Sequence, residues 1–207
     1  MLYNISSVLV VGLTGNLGSG KSVVLGMFAR LGAFTLSADE IVGRLLKERP
    51  VLDRLRAALG NGAFDERGRL IKARAAEMIF SDKGLRLAVE DVLHPLVFER
   101  IDEALKGARP RIAVIEAPLI FERRYEGRFN KIITVHADEE AVLKRLERAG
   151  TKRDDALRRL GCQMPAEEKI RRADYAIDNS GSAEETERQV KDIYITLTEG
   201  ISANGNS

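Results

Sequence analysis

Gly15-Asn16-Leu17-Gly18-Ser19-Gly20-Lys21-Ser22 spells G-x-x-x-x-G-K-S, a set of residues able to grip a chain of phosphates. The glycines let the backbone curl until successive N–H groups point into one concavity, against a helix N-terminus that favours an anion. Leu17, Gly18, Ser19, Gly20, Lys21 and Ser22 are therefore the candidate nucleotide-binding residues. Lys21 would reach the β- and γ-phosphates, and the Ser22 hydroxyl would sit on Mg²⁺.

That chemistry needs a strand to deliver the loop and a helix to receive it. Val8-Leu9-Val10-Val11 is a short apolar run of the kind buried on both faces of a parallel sheet. Residues 23–30 have helical spacing, with Val24, Leu25, Phe28 and Leu31 on one side and Gly32 as the stop. Two other strings test a GTP-hydrolysing switch: Asp65-Glu66-Arg67-Gly68 matches D-x-x-G, and Thr151-Lys152-Arg153-Asp154 matches T-K-x-D. In such a switch each follows a buried strand. Here the first follows a turn and the second a helix, so the placement speaks against that class.

Further strands are expected at 33–36, 111–116, 131–135 and 175–177, and helices at 41–47, 139–148 and 183 to about 197. Residues 152–172 are charged and helical around a break at Pro165. Between about 50 and 106 the pattern is helical throughout, with His94-Pro95 expected to interrupt it, because the proline ring removes a donor and disfavours helix at the residue before it. Residues 202–207 have the composition of a frayed end. Alternating strands and helices predict an α/β chain with a five-stranded parallel sheet flanked by helices, ligands binding at the strands' carboxyl ends.

The chain has 33 Lys and Arg against 31 Asp and Glu, a formal charge of +2. That balance argues against nucleic acid as a partner, which calls for a concentrated basic excess. The single Cys162 cannot form an internal disulfide and points to a reducing compartment. No apolar run approaches a bilayer's thickness, and Met1-Leu2-Tyr3-Asn4 lacks a basic leader, so a cytoplasmic location and no membrane partner are expected.

Phosphoryl transfer also needs a group acting on the acceptor and cations around the moving phosphate. Asp39, just past the second strand, could orient or deprotonate an acceptor hydroxyl, or cap the helix that follows. Arg145, Arg148, Lys152 and Arg153 read either as a flap over phosphates or as a solvated charged face. Glu116, ending the third strand, could accept from a Mg²⁺-bound water, and Pro118 marks where the chain leaves the sheet. His94 could touch the acceptor or serve the structure.

Taken together, the strings resemble the dephospho-coenzyme A kinase family over almost the whole chain. The residues that carry the resemblance are Gly12 to Ser22, Ala38-Asp39-Glu40-Ile41, Leu93-His94-Pro95-Leu96-Val97, Ala117-Pro118-Leu119-Ile120-Phe121-Glu122, Arg145, Gln163-Met164-Pro165, and Ala173 to Gly181. The resemblance implies a P-loop kinase fold of nucleoside-monophosphate-kinase type over 1–207, with a helical acceptor-binding subregion at about 50–106 and a lid at about 145–172. It implies ATP and Mg²⁺, and transfer of the γ-phosphate to the 3′-hydroxyl of dephospho-CoA. Lys21, Asp39 and Arg145 would then be catalytic, Asp39 and His94 would hold the acceptor, and Asn179 would line the adenine end of the ATP site. A monomer or small homo-oligomer is expected. Three positions depart from the family's common pattern: Ser37 where an Asp is usual, Val23 where a Thr is usual, and Ala149 where an acidic residue is frequent. Two other readings stay open, a nucleotide-binding regulatory protein with weak transfer and a related nucleoside or nucleotide kinase.

Overall fold

The computed structural model describes residues 8–204, with side chains to 201. The chain divides into two compact units, one gathering the residues up to Ser37 and from Ala108 on, the other Ala38–Gly107.

The first unit is built on a five-stranded, all-parallel sheet. Its strands are β1 (Leu9–Gly15), β2 (Phe34–Ser37), β3 (Ile112–Glu116), β4 (Lys131–His136) and β5 (Tyr175–Asp178), in the order β2-β3-β1-β4-β5. β1 is central and buried along nearly its whole length, which is why its sequence is a continuous apolar run rather than an alternation. The phosphate-loop string follows β1 and leads into α1 (Lys21–Arg30). Val24, Met27 and Phe28 of α1 pack with Val11, Leu13, Val114, Ile133, Val135 and Ile177 of the sheet. Val190 and Leu197 of α9 (Ala183–Asn204) join the same cluster. α9 runs past the expected stop near 197, because Tyr194, Leu197 and Ile201 continue its buried stripe. The frayed end expected over 202–207 is therefore helical to Asn204. The remainder, and the amino-terminal residues used for the location reading, lie outside the described residues.

After β4 come α6 (Glu139–Arg148), α7 (Arg153–Gly161) and α8 (Ala166–Arg172). The break expected at Pro165 falls between the last two. Val142, Leu143 and Leu146 of α6 bury Ala156 of α7.

The second unit is helical: α2 (Ala38–Leu45), α3 (Arg49–Leu59), α4 (Lys72–Ser81) and α5 (Lys83–Ala108), whose last residue crosses the boundary. It begins twelve residues sooner than the subregion expected from 50. α5 runs 26 residues straight through Pro95, correcting the expected interruption at His94-Pro95. A proline removes one intrahelical donor, at a cost of about 3 kcal/mol. Buried Val89, Val97, Ile101 and Leu105 form one stripe on both sides of it, and that burial outweighs the loss at about 1.5–3 kcal/mol per side chain. Asp65 accepts the N–H groups of Arg67 and Arg69 at 3.0 and 2.8 Å in a tight turn. Its D-x-x-G string is thus turn chemistry, as the T-K-x-D string is the start of α7. Among the described residues no helix is long and apolar enough to cross a membrane.

Candidate active site

Two glycines fix the phosphate loop's shape. Gly20 has φ 94°, left-handed geometry that ends the loop and opens α1, and a Cβ there would collide with the Asn179 amide. Gly15, at φ 147°, lies so close to the Val135 carbonyl that a Cβ would strike it. Neither place admits a side chain.

Within the sheet unit the trailing limb of the loop is tied to the core. Asn179 Nδ2 donates to the Ser19 carbonyl at 2.8 Å, and the Thr186 hydroxyl donates to Asn179 Oδ1 at 2.9 Å. Arg145 Nη2 donates to the Asn179 carbonyl at 2.6 Å. The other terminal nitrogen of Arg145 is buried without a hydrogen-bond partner and lies beside Gly20. Ser22 donates to Glu116 Oε1 at 3.1 Å, and Glu116 is only 6% exposed at the end of β3. Register pairs Glu116 with Ser37 on β2, itself buried. A hydroxyl and a buried carboxylate thus converge where the loop meets α1.

The leading limb is held by the turn between α7 and α8. Gln163 Oε1 accepts the Leu17 N–H at 2.9 Å, and Asn16 Nδ2 donates to the Met164 carbonyl at 3.2 Å. Lys21 Nζ donates to the Asn16 carbonyl at 3.1 Å, and the Leu17 side chain packs on the cluster between α6 and α7. A cavity of about 460 Å³ lies behind this limb, lined among others by Asn16, Ser19, Thr134, Gln163 and Lys169.

Lys21, Ser22, Glu116, Arg145 and Asn179 are therefore gathered around one loop. Asn179 acts on that loop through its amide nitrogen, while its side-chain oxygen is held by Thr186 of α9. The basic run is not gathered: Arg145 lies beside the stripe of Val142 and Leu146, whereas Arg153 pairs on the surface with Glu140 at 3.1 Å and Glu147 at 3.4 Å. Arg148 and Lys152 are exposed. Asp39 and His94 belong to the helical unit. Asp39 is exposed in the first turn of α2, one residue inside the helix rather than capping it, and His94 is half-buried on α5.

Asp178, next to Asn179, holds its carboxyl below the ordinary value because it accepts the Ser180 hydroxyl and backbone N–H, with His136 nearby. The contacts of Asn16, Gln163 and Thr186 were not read from the sequence. Their partners lie across up to 148 residues of chain, and the one available signal was Gln163-Met164-Pro165 within the family resemblance.

A family model described as dephospho-CoA kinase matches residues 9–185. Dephospho-CoA kinase from Aquifex aeolicus is 37% identical over 190 residues, covering 91% of this chain and 97% of that protein. The one from Syntrophotalea carbinolica is 39% identical, covering 93% and 94%. Among solved structures, TT1252 from Thermus thermophilus superposes with a TM-score of 0.83 at 33% identity, covering 93% of this chain and 99% of that one. Shikimate kinase from Bacteroides thetaiotaomicron, at 16% identity and a TM-score of 0.52 over 92% and 98% of the two chains, shares the fold. The strand-to-loop-to-helix unit is thus that of a P-loop kinase, and with these relatives spanning nearly its whole length the chain belongs to the dephospho-CoA kinase family.

Proposed function

We propose that this chain transfers the γ-phosphate of ATP to the 3′-hydroxyl of dephospho-CoA, giving CoA and ADP. The observation that carries the reading is the phosphate loop held ready between two sets of contacts, with the buried unpaired nitrogen of Arg145 beside Gly20. A phosphate oxygen would satisfy that nitrogen by a charge-assisted bond.

Ser22 and Glu116 offer hard oxygens 3.1 Å apart, which fit Mg²⁺, an ion that takes few protein ligands and completes its shell with phosphate and water. When bound it would neutralise charge between the β- and γ-phosphates. Lys21 and the loop N–H groups stabilise the charge developing on the transferred group. The acceptor oxygen forms a bond to the γ-phosphorus, the bond from that phosphorus to ADP breaks, and the hydroxyl proton passes to the Asp39 carboxylate. His94 and the helical unit hold the acceptor. The enzyme works as a monomer or small homo-oligomer in the cytoplasm.

Incubation with ATP, Mg²⁺ and dephospho-CoA should yield, by mass, a product one phosphate heavier. ADP release that ignores dephospho-CoA and follows a nucleoside monophosphate would move the assignment to another acceptor. Retained ATP binding without turnover would make the chain a nucleotide-binding regulator, a reading favoured only by Ser37, Val23 and Ala149.

A further inference from the structure

α8 holds a charge in the interior. Lys169 is fully buried, its ammonium 2.8 Å from Glu122 Oε1 and donating to the Pro118 carbonyl at 3.2 Å. The same carboxylate oxygen accepts the Met164 N–H at 3.1 Å, and the Pro118 carbonyl also accepts the Thr14 hydroxyl at 3.1 Å. Arg172 stacks over Phe121 at 4.8 Å and pairs with Glu126. A buried ion pair is a poor source of stability, since removing two charges from water offsets most of their attraction, and apolar residues of similar volume often do as well.

What this pair does is place a turn. From Lys169 and Glu122 the contacts pass to Met164, from Met164 to the Asn16 amide, and from the Asn16 carbonyl to the Lys21 ammonium. Gln163 adds a second tie, on the Leu17 N–H. Of the side chains in this relay, only Lys21 is assigned above to the phosphates. We propose that Lys169 and Glu122 are positioning residues for phosphoryl transfer, acting through Gln163-Met164 to hold the leading limb of the loop and so aim Lys21. This rests on the kinase reading above.

The test compares the full chain with Lys169→Met, with Lys169→Met/Glu122→Gln, and with Gln163→Ala. Misplacement of a catalytic group by about 1 Å can cost 10²-fold. Lys169→Met should therefore lose about 10²-fold in kcat per folded molecule, with KM for both substrates held within about threefold. Adding Glu122→Gln removes the stranded buried charge, so the double variant should regain thermal stability while kcat stays low. Recovery of kcat together with stability would mean a merely structural pair and overturn the proposal. Gln163→Ala leaves the buried pair untouched and covers the case in which the Lys169 variants do not fold. It should lower kcat by about tenfold and speed hydrogen exchange at residues 16–22 in the nucleotide-free protein. A fall in kcat without faster exchange there would place Gln163 on the ligand itself and overturn the proposal, as would no change in either. Should the unaltered chain make no CoA, the functional reading fails by itself. Exchange at residues 16–22 then decides the coupling, faster in Gln163→Ala if it exists and unchanged if it does not.

Discussion

Asn179, in the sheet unit, uses its whole side chain inside the fold, on Ser19 and Thr186, whereas Asp39, in the helical unit, is exposed on the first turn of α2. Around the phosphate-loop string, the groups that shape the candidate site also complete hydrogen bonds of the interior. In the helical unit, the carboxylate proposed to act on the acceptor is not built into the interior. Folding and catalysis should therefore be hard to separate by substitution at Asn179 and easy to separate at Asp39.

Asp39→Asn puts the greatest strain on that contrast. A general-base contribution is about 10² to 10⁴-fold, so kcat should fall by that order, while Tm and ATP affinity hold within a few degrees and a few-fold. A protein that unfolds but keeps its specific activity in the folded fraction would make Asp39 structural and erase the difference between the regions. Lys21→Ala comes next. Losing one transition-state charge contact costs roughly 3–4 kcal/mol, so transfer should drop about 10² to 10³-fold with little change in Tm.

Asn179→Ala tests the other half of the comparison. It strands the buried Ser19 carbonyl, a cost of about 1–3 kcal/mol, leaves the Thr186 hydroxyl with the Ser182 carbonyl alone, and frees the trailing limb. Denaturant unfolding and nucleotide binding should therefore weaken together. Ser37→Asp is a smaller perturbation. Position 37 pairs in register with Glu116, and like charges directly opposite destabilise by up to about 1 kcal/mol, a Tm loss of about 2–4 °C in a chain of this size. A Mg²⁺-nucleotide complex should restore the loss if the two carboxylates share the ion.

The smallest effect is that of pH at Asp178. Its carboxyl lies below the ordinary value of 3.8, held first by the Ser180 hydroxyl. Its depressed pKa contributes stability above pH 3.8 that is lost as the pH falls through the folded value. The Tm gap between the unaltered chain and Asp178→Asn should close over that acid range and stay constant above it.

The loop and its flanking strand and helix were legible because their signal is local: an apolar run, glycines at fixed spacing and a helical stripe within residues 8–31. The number of strands followed from the same kind of pattern. Their order did not, since nothing in the residues of β1 names β3 and β4 as its neighbours. Pro95 misled because local propensity was weighed without the burial on either side of it. Glu122 stood out only as the end of the Ala117–Glu122 string, without a role, and Lys169 not at all, since it sits in a segment rich in charge, where a solvated face is the usual meaning of such residues. Burial of the ammonium is a tertiary fact, set by partners 47 residues apart in the chain.

The span between Ser19 and Asn179, 160 residues, has a consequence for how the protein is made. At about 5–20 residues per second, roughly 8 to 32 s pass between synthesis of the loop and synthesis of the residue that fastens it. A nascent chain ending before Tyr175 has the complete phosphate-loop string yet lacks both β5 and that fastening. If the fastened loop is what binds nucleotide, as proposed, tight binding comes late in synthesis, and because a ligand that binds the folded state alone stabilises it by mass action, ATP would favour the chains that have been finished over those that have not.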